Sequence, residues 1–300
     1  MRYVVIVLLS LLAACGGSSH KDVVENPYSD RMRELTRTGV DAMQRERWQV
    51  AESLFERALQ AAQLANDQEL IGQAWYNLGV LHISSGEEEK GESELMRAAS
   101  VAQRHQQEVT LVRARVALAL LHQKSGRKAW QPDALGSSMP MDLHLSVARL
   151  AQLQQRYDVA RREYEYVVSR SGKDRATLLY KIDAHMGMAL LHLELNEEAA
   201  VHDEIEDVLK MSRDVGAPRQ AAHALLLSAR LVSDEALQTG NLQNALAIYE
   251  ALDDKRGQKD VLNALIVIST AQGDETLTKS LNQKLQSLNG TSAEIEESEH

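Results

Sequence analysis

The chain has 300 residues, 44% of them apolar and 25% charged, which suits one or two cored domains and excludes a fibrous or wholly disordered chain. Only 4% are aromatic, while Ala and Leu are abundant, so helices packed through small side chains are expected rather than a sheet sandwich: the fold class is all-α. A net charge of −10 argues against a basic patch for nucleic acid or anionic lipid, and the single cysteine rules out an internal disulfide.

Residues 1–14 hold Arg2, an apolar run from Tyr3 to Leu12, and Ala13-Ala14, directly before Cys15. The run is too short to span a bilayer, and small residues ahead of the lone cysteine are what a cleaved export signal carries. The segment resembles the lipobox of bacterial lipoproteins. That resemblance implies cutting before Cys15, acyl chains on its sulfur and new amino terminus, and attachment to a membrane. An ordinary signal peptide, or an N-terminal core helix with a chance cysteine, are the alternatives. Elsewhere no stretch approaches eighteen apolar residues. Residues 15–30 carry Gly16-Gly17-Ser18-Ser19, Asn26 and Pro27, too little apolar surface to offset chain entropy, and are expected to form a flexible tether.

From residue 31 a small residue recurs at a fixed interval: Gly39, Gly79, Ala119, and with looser spacing Ala148, Ala189 and Ala229. After each except Ala119 comes a second helical stretch of small and large residues: Ala51, Phe55 and Ala58; Gly91, Leu95 and Ala98; Ala160, Tyr164 and Val167; Val201, Ile205 and Val208; Ala245, Tyr249 and Leu252. Small residues belong where two helices of a hairpin cross, because a larger side chain drives the axes apart. Gly86, Gly126, Gly240-Asn241 and Gly273 are expected at turns between helices. The last helix carries Leu277, Leu281, Leu285 and Leu288, one apolar face as in a terminal cap, and residues 291–300 are expected to be an acidic disordered tail.

The segment Trp75-Tyr76-Asn77-Leu78-Gly79, followed by Gly86, Gly91, Leu95 and Ala98, resembles a tetratricopeptide (TPR) repeat, with helices longer than the usual. The resemblance implies a solenoid of stacked antiparallel hairpins over residues 31–126 and 141–290. Between them, residues 127–140 contain Pro132, Pro140 and Gly136-Ser137-Ser138, which no regular helix accommodates. This segment is an irregular loop, a degraded hairpin arm, or a joint between two stacks.

No Gly-x-Ser-x-Gly elbow, phosphate-cradling glycine loop or His-Glu-x-x-His helix occurs, so no catalytic residue, metal ligand or cofactor is assigned beyond the lipid on Cys15, and the chain is not read as an enzyme. His82, His122 and His192 share one frame position and are expected to be core residues with a polar tip. Glu87-Glu88-Glu89 and Glu204-Glu206-Asp207 are expected to be solvated helix faces.

The resemblance implies a concave wall of first helices that takes partner proteins or peptides. Its expected lining is Arg37, Gln73, Tyr76, Asn77, Val80, Arg113, Leu120, Arg149, Met186 and Leu190, with Arg33, Val40, Val116 and Arg230 beside them. Asn77 matches the position where peptide-binding members of the family set an Asn against the ligand backbone. The expected role is a periplasm-facing adaptor of the Gram-negative envelope, on the outer membrane through Cys15. Self-association through Val80, Val116 and Leu120, or an enzyme site around residues 130–141, are the alternatives.

Overall fold

A computed structural model describes residues 26–232 and 234–297, with side chains placed as far as 288. Cys15, the signal segment and most of the tether lie outside the described residues. Every regular element among the described residues is an α-helix. The chain divides into two compact units between Val167 and Val168.

The first unit contains α1 (Pro27–Gln44), α2 (Trp48–Ala65), α3 (Gln68–Ser85), α4 (Glu88–Arg104), α5 (Glu108–Lys124), α6 (Met141–Leu153) and α7 (Tyr157–Val168, whose last residue falls past the division). Successive helices from α1 to α6 pack as neighbours, and among alternate helices α1 also touches α3 and α3 touches α5. The second unit contains α8 (Arg175–Glu194), α9 (Glu198–Val215), α10 (Pro218–Ser228), α11 (Glu235–Ala251), α12 (Lys255–Ala271) and α13 (Glu275–Glu297), again packed in sequential pairs. Serial pairing of adjacent helices, with no strand among the described residues, is consistent with an α-solenoid.

Short polar side chains start several of the helices. Asn26 accepts from Tyr28 N ahead of Pro27, Asp67 from Glu69 N and Leu70 N, and Asp174 from Thr177 N, each satisfying amides that the first turn leaves open. Almost every joint turns through one left-handed residue. Between first and second helices these are Glu46, Gly86, Gln155, Asn196 and Gly273, with φ from 58 to 97°, and Gly126 serves where α5 ends. Each is followed by a backbone bond that closes back over the helix end, such as Glu87 N to His82 O at 2.7 Å and Arg156 N to Ala151 O at 2.8 Å.

The crossings hold what the recurrence of small residues anticipates. A Cβ added to Gly79 would stand 2.7 Å from Leu95 Cγ and 3.0 Å from Gly91 O, and one added to Gly91 would stand 2.7 Å from Gly79 O. In α1 the same addition at Gly39 would meet Phe55 at 2.6 Å. Phe55, Leu95, Tyr164, Ile205 and Tyr249 are all buried, so one large side chain per second helix fills the space the small residue leaves.

Two expectations fail. Gly240-Asn241 is no turn: both lie inside α11, where a Cβ on Gly240 would meet nothing within 4 Å, and the chain breaks earlier because Asp234 caps Leu237 N and starts the helix there. In α13 Leu281 is buried but Leu277 is 40% exposed, so the cap packs through Leu281, Leu285 and Leu288. Helix α13 is traced to Glu297, through part of the span expected as a tail; residues 298–300 lie outside the described residues.

Candidate functional site

The expected concave lining does not form an open wall. Val80, Val116 and Leu120 are fully buried, and Tyr76, Met186 and Asn77 are 4%, 6% and 8% exposed. In the first unit the cause is the direct packing of α1 on α3 and of α3 on α5, which brings their inward rows into contact. Gln73 is half-buried and donates to Glu69 Oε1 at 3.3 Å within its own helix. Arg113 donates to Asp142 Oδ2 at 2.8 Å, both side chains nearly buried, tying α5 to α6. Beside that pair Tyr76 is enclosed, and burial drives its phenol well above the ordinary range; its hydroxyl and Arg113 Nε find no protein partner. Arg149 and Leu190 are half-buried, and Arg37 and Arg33 are exposed on α1. Of these positions, Tyr76, Asn77, Val80, Val116, Leu120 and Met186 belong to the interior.

The polar chemistry lies in pairs of histidine and glutamate. His82 Nδ1 donates to Glu94 Oε2 at 2.5 Å and Nε2 to Glu52 Oε1 at 3.0 Å, with a ring only 2% exposed. Carboxylates only accept, so a ring between two of them donates from both nitrogens and is positively charged. Burial opposes that charge, and the bonds to Glu94 and Glu52 outweigh it, raising the pKa of His82. Glu52 is held below the usual carboxylate range by Lys90 first and His82 second. His122 Nε2 donates to Glu92 at 2.9 Å, thirty positions back, the same separation as in the His82–Glu52 pair, and Glu92 is lowered by Arg127 and then His122.

Two further pairs repeat another spacing. His144 Nδ1 meets Glu163 Oε2 at 2.5 Å and His185 Nδ1 meets Glu204 Oε2 at 2.6 Å, both nineteen positions apart. His192 binds Glu197 at 2.5 Å and stands 4.0 Å from Glu204. Glu94, Glu163 and Glu204 each come fifteen positions after a crossing residue, Gly79, Ala148 and Ala189. The expected role of His82 and His192 as core residues with a polar tip therefore fits, and His122, partly exposed, sits at the edge. Glu204, expected on a solvated face, is instead largely buried between two histidines. Among the described residues no three His, Cys, Asp or Glu side chains group so as to hold a metal ion.

Residues 127–140 have no regular helix and are strapped to the α6–α7 hairpin by side chains. Gln154 Nε2 donates to Trp130 O at 2.9 Å, Arg156 to Pro132 O at 2.5 Å, and Tyr166 Oη to Ser137 O at 2.7 Å. Glu163, 2% exposed, accepts from Leu135 N at 2.8 Å through Oε1 while Oε2 takes the His144 proton, and the His144 ring stacks on Tyr166 with centroids 3.9 Å apart. The strap thus satisfies its backbone with hairpin side chains where a second helix would satisfy its own. A scan against protein-family models and a search of curated proteins found no match for the chain.

Proposed function

We propose that the chain is a TPR-like lipoprotein adaptor of the Gram-negative cell envelope. Acyl chains on Cys15 hold it to the periplasmic face of the outer membrane, and its helix hairpins dock partner proteins or peptides. The observation that carries the TPR-like reading is the recurrence of Gly39, Gly79 and Ala119 at one interval. The first two of these have no room for a larger side chain. Hairpins stacked in this way offer a long surface relative to their core, which suits scaffolding. The lipid reading rests on Tyr3–Leu12, Ala13-Ala14 and Cys15. None of the described helices is long and apolar enough to cross a membrane, so the proposed attachment rests on the lipid.

The test has two arms. Cells given a radiolabelled fatty acid should label the wild-type chain and not Cys15→Ala, which should leave the membrane fraction while keeping its helical spectrum; equal labelling or equal retention ends the lipoprotein reading. Crosslinking on intact cells followed by purification should join the wild-type chain to another envelope protein at a fixed stoichiometry. Recovery of the chain alone ends the adaptor reading.

A further inference from the structure

The third hairpin lacks its second helix, and the slot it would occupy is partly open. In the second hairpin, α4 covers α3: Leu78 is 3% exposed and Arg97 stands 4.8 Å over the Trp75 ring. Forty positions on, α5 repeats the frame, with Arg115 in place of Trp75 and Leu118 in place of Leu78. No helix follows to cover them. The strap is drawn towards α6 and α7 by the bonds from Gln154, Arg156, Glu163 and Tyr166, and Leu118 stays half-buried. Trp130 reaches back to α5, its ring 5.9 Å from the Arg115 guanidinium, which reverses the Trp75–Arg97 pairing of the hairpin before, and Arg127 reaches back to Glu92 on α4.

Two recesses result, one reaching Arg115 and the other Trp130. One, about 330 Å³, lies between α4 and α5 and is lined by Met96, Ala99, Arg104, Leu111, Arg115 and Leu118. The other, about 580 Å³, lies beside the strap against Lys128, Trp130 and Gln154. Met96 is 53% exposed at the edge of the first. Although the chain has a net charge of −10, the residues lining both recesses include Arg104, Arg115 and Lys128 and no carboxylate. Of the carboxylates at the neighbouring helix ends, Glu88 is engaged with Lys124 and Glu92 with His122 and Arg127.

We propose that this slot, over α5 between α4 and the strap, is a docking groove for an amphipathic helix of a partner protein. The partner helix sets apolar side chains against Met96, Leu111 and Leu118 and carboxylates against Arg104, Arg115 and Lys128. Its anchors follow the i, i+3 or i+4, i+7 spacing by which one helix face meets a groove. The recesses take those anchors, and the body of the helix lies where the second helix of a complete hairpin would lie. The inference rests on the adaptor reading and names the surface and the partner chemistry.

A display library of random helical peptides, panned against the full-length chain, tests it. Enriched peptides are synthesised and their affinity read by fluorescence anisotropy against wild type, Met96→Glu and Arg115→Glu. Both sites are at least partly exposed, and unchanged thermal melts confirm that each variant is folded. Expected are winners with an apolar stripe flanked by Asp or Glu, helical when bound, weakened about tenfold or more by either substitution, with Lys in place of the facing Glu restoring binding to Arg115→Glu. Winners that are basic, extended or indifferent to both substitutions overturn the proposal, as does a library that enriches nothing. A change in the chain's own oligomeric state on Met96→Glu, without peptide, assigns the groove to a second copy and also overturns it. Failure here leaves the labelling and crosslinking tests of the adaptor reading untouched, since they do not depend on the docking surface.

Discussion

Replacing Gly79 by Ala tests the crossing geometry at a single methyl group. The added carbon would stand 2.7 Å from Leu95 Cγ, 2.9 Å from Leu95 Cδ2 and 3.0 Å from the Gly91 carbonyl oxygen. Leu95 is fully buried and Gly91 O is backbone, so neither moves without α4 moving with it. Restoring ordinary contact requires α3 and α4 to part by roughly 1 Å, and a gap of that size forfeits about a quarter to a half of each dispersion contact across the seam. Overpacking of this kind costs about 1–3 kcal/mol, and up to about 1 kcal/mol of it is returned by the higher helix propensity of Ala. The expected net loss is about 1–2 kcal/mol, read as a fall of several degrees in a thermal melt. Gly91→Ala, aimed at Gly79 O and Ile83 N, should lose at least as much. The double variant should lose less than the sum, because helices parted by the first methyl already admit the second. Gly240→Ala is the control: it is helical with open space around its Cβ position and should gain about 0.5–1 kcal/mol. A neutral or stabilising Gly79→Ala would refute the account of the crossing.

Glu163→Ala should cost about 3–5 kcal/mol, because it strands the Leu135 amide and the buried His144 ring together, and hydrogen exchange at Leu135 should accelerate well beyond that of α5; unchanged exchange there would mean the strap is held by other contacts. Stability should also depend on pH from both sides. His82, raised by its two glutamates, contributes fully below the ordinary 6.5 and loses that contribution as pH rises through its folded value. Glu52 and Glu92, both lowered, contribute above the ordinary 4.5 and lose it as pH falls through theirs. Urea midpoints across that range should show the alkaline slope diminished in His82→Gln, and an identical slope in the variant would remove His82 as its source. Gln155→Gly, at φ 58° in the joint between α6 and α7, should stabilise by about 0.5–1 kcal/mol in the same assay. A loss on that substitution would show the side chain matters more than the backbone angle.

The helical class and the crossing residues are legible in the sequence because both are set by side-chain size at regular spacing, and size is what a sequence displays. Joints are less legible. Gly86 and Gly126 announce themselves, but the same left-handed turn is made by Glu46, Gln155 and Asn196, whose identity carries no such signal, while Gly240 carries the signal inside a helix. Exposure along the expected lining is not legible for a different reason. Its inward register held for Tyr76, Val80 and Leu120, but exposure depends on how near the neighbouring first helix comes, which is a property of the stack and not of any one repeat. His144 and His185 were detectable in principle: each precedes a glutamate by nineteen positions, and the two pairs sit at equivalent places in successive frames.

These pairs also bear on how the irregular segment persists without a helix of its own. Glu163 occupies, in the fourth hairpin, the place that Glu94 and Glu204 occupy in theirs, where Glu94 gives one oxygen to His82 and Glu204 turns both of its oxygens to His185 and His192 of a first helix. In the fourth hairpin one oxygen is so used; the other receives Leu135 N from the strap. A residue that elsewhere locks one hairpin internally therefore locks this hairpin to the segment before it. The bond draws the chain towards α7 and leaves the outer side of α5 with Trp130 as its partial cover. The incomplete hairpin and the groove beside α4 then share two causes: prolines that forbid a helix, and a buried carboxylate that fixes where the substitute runs.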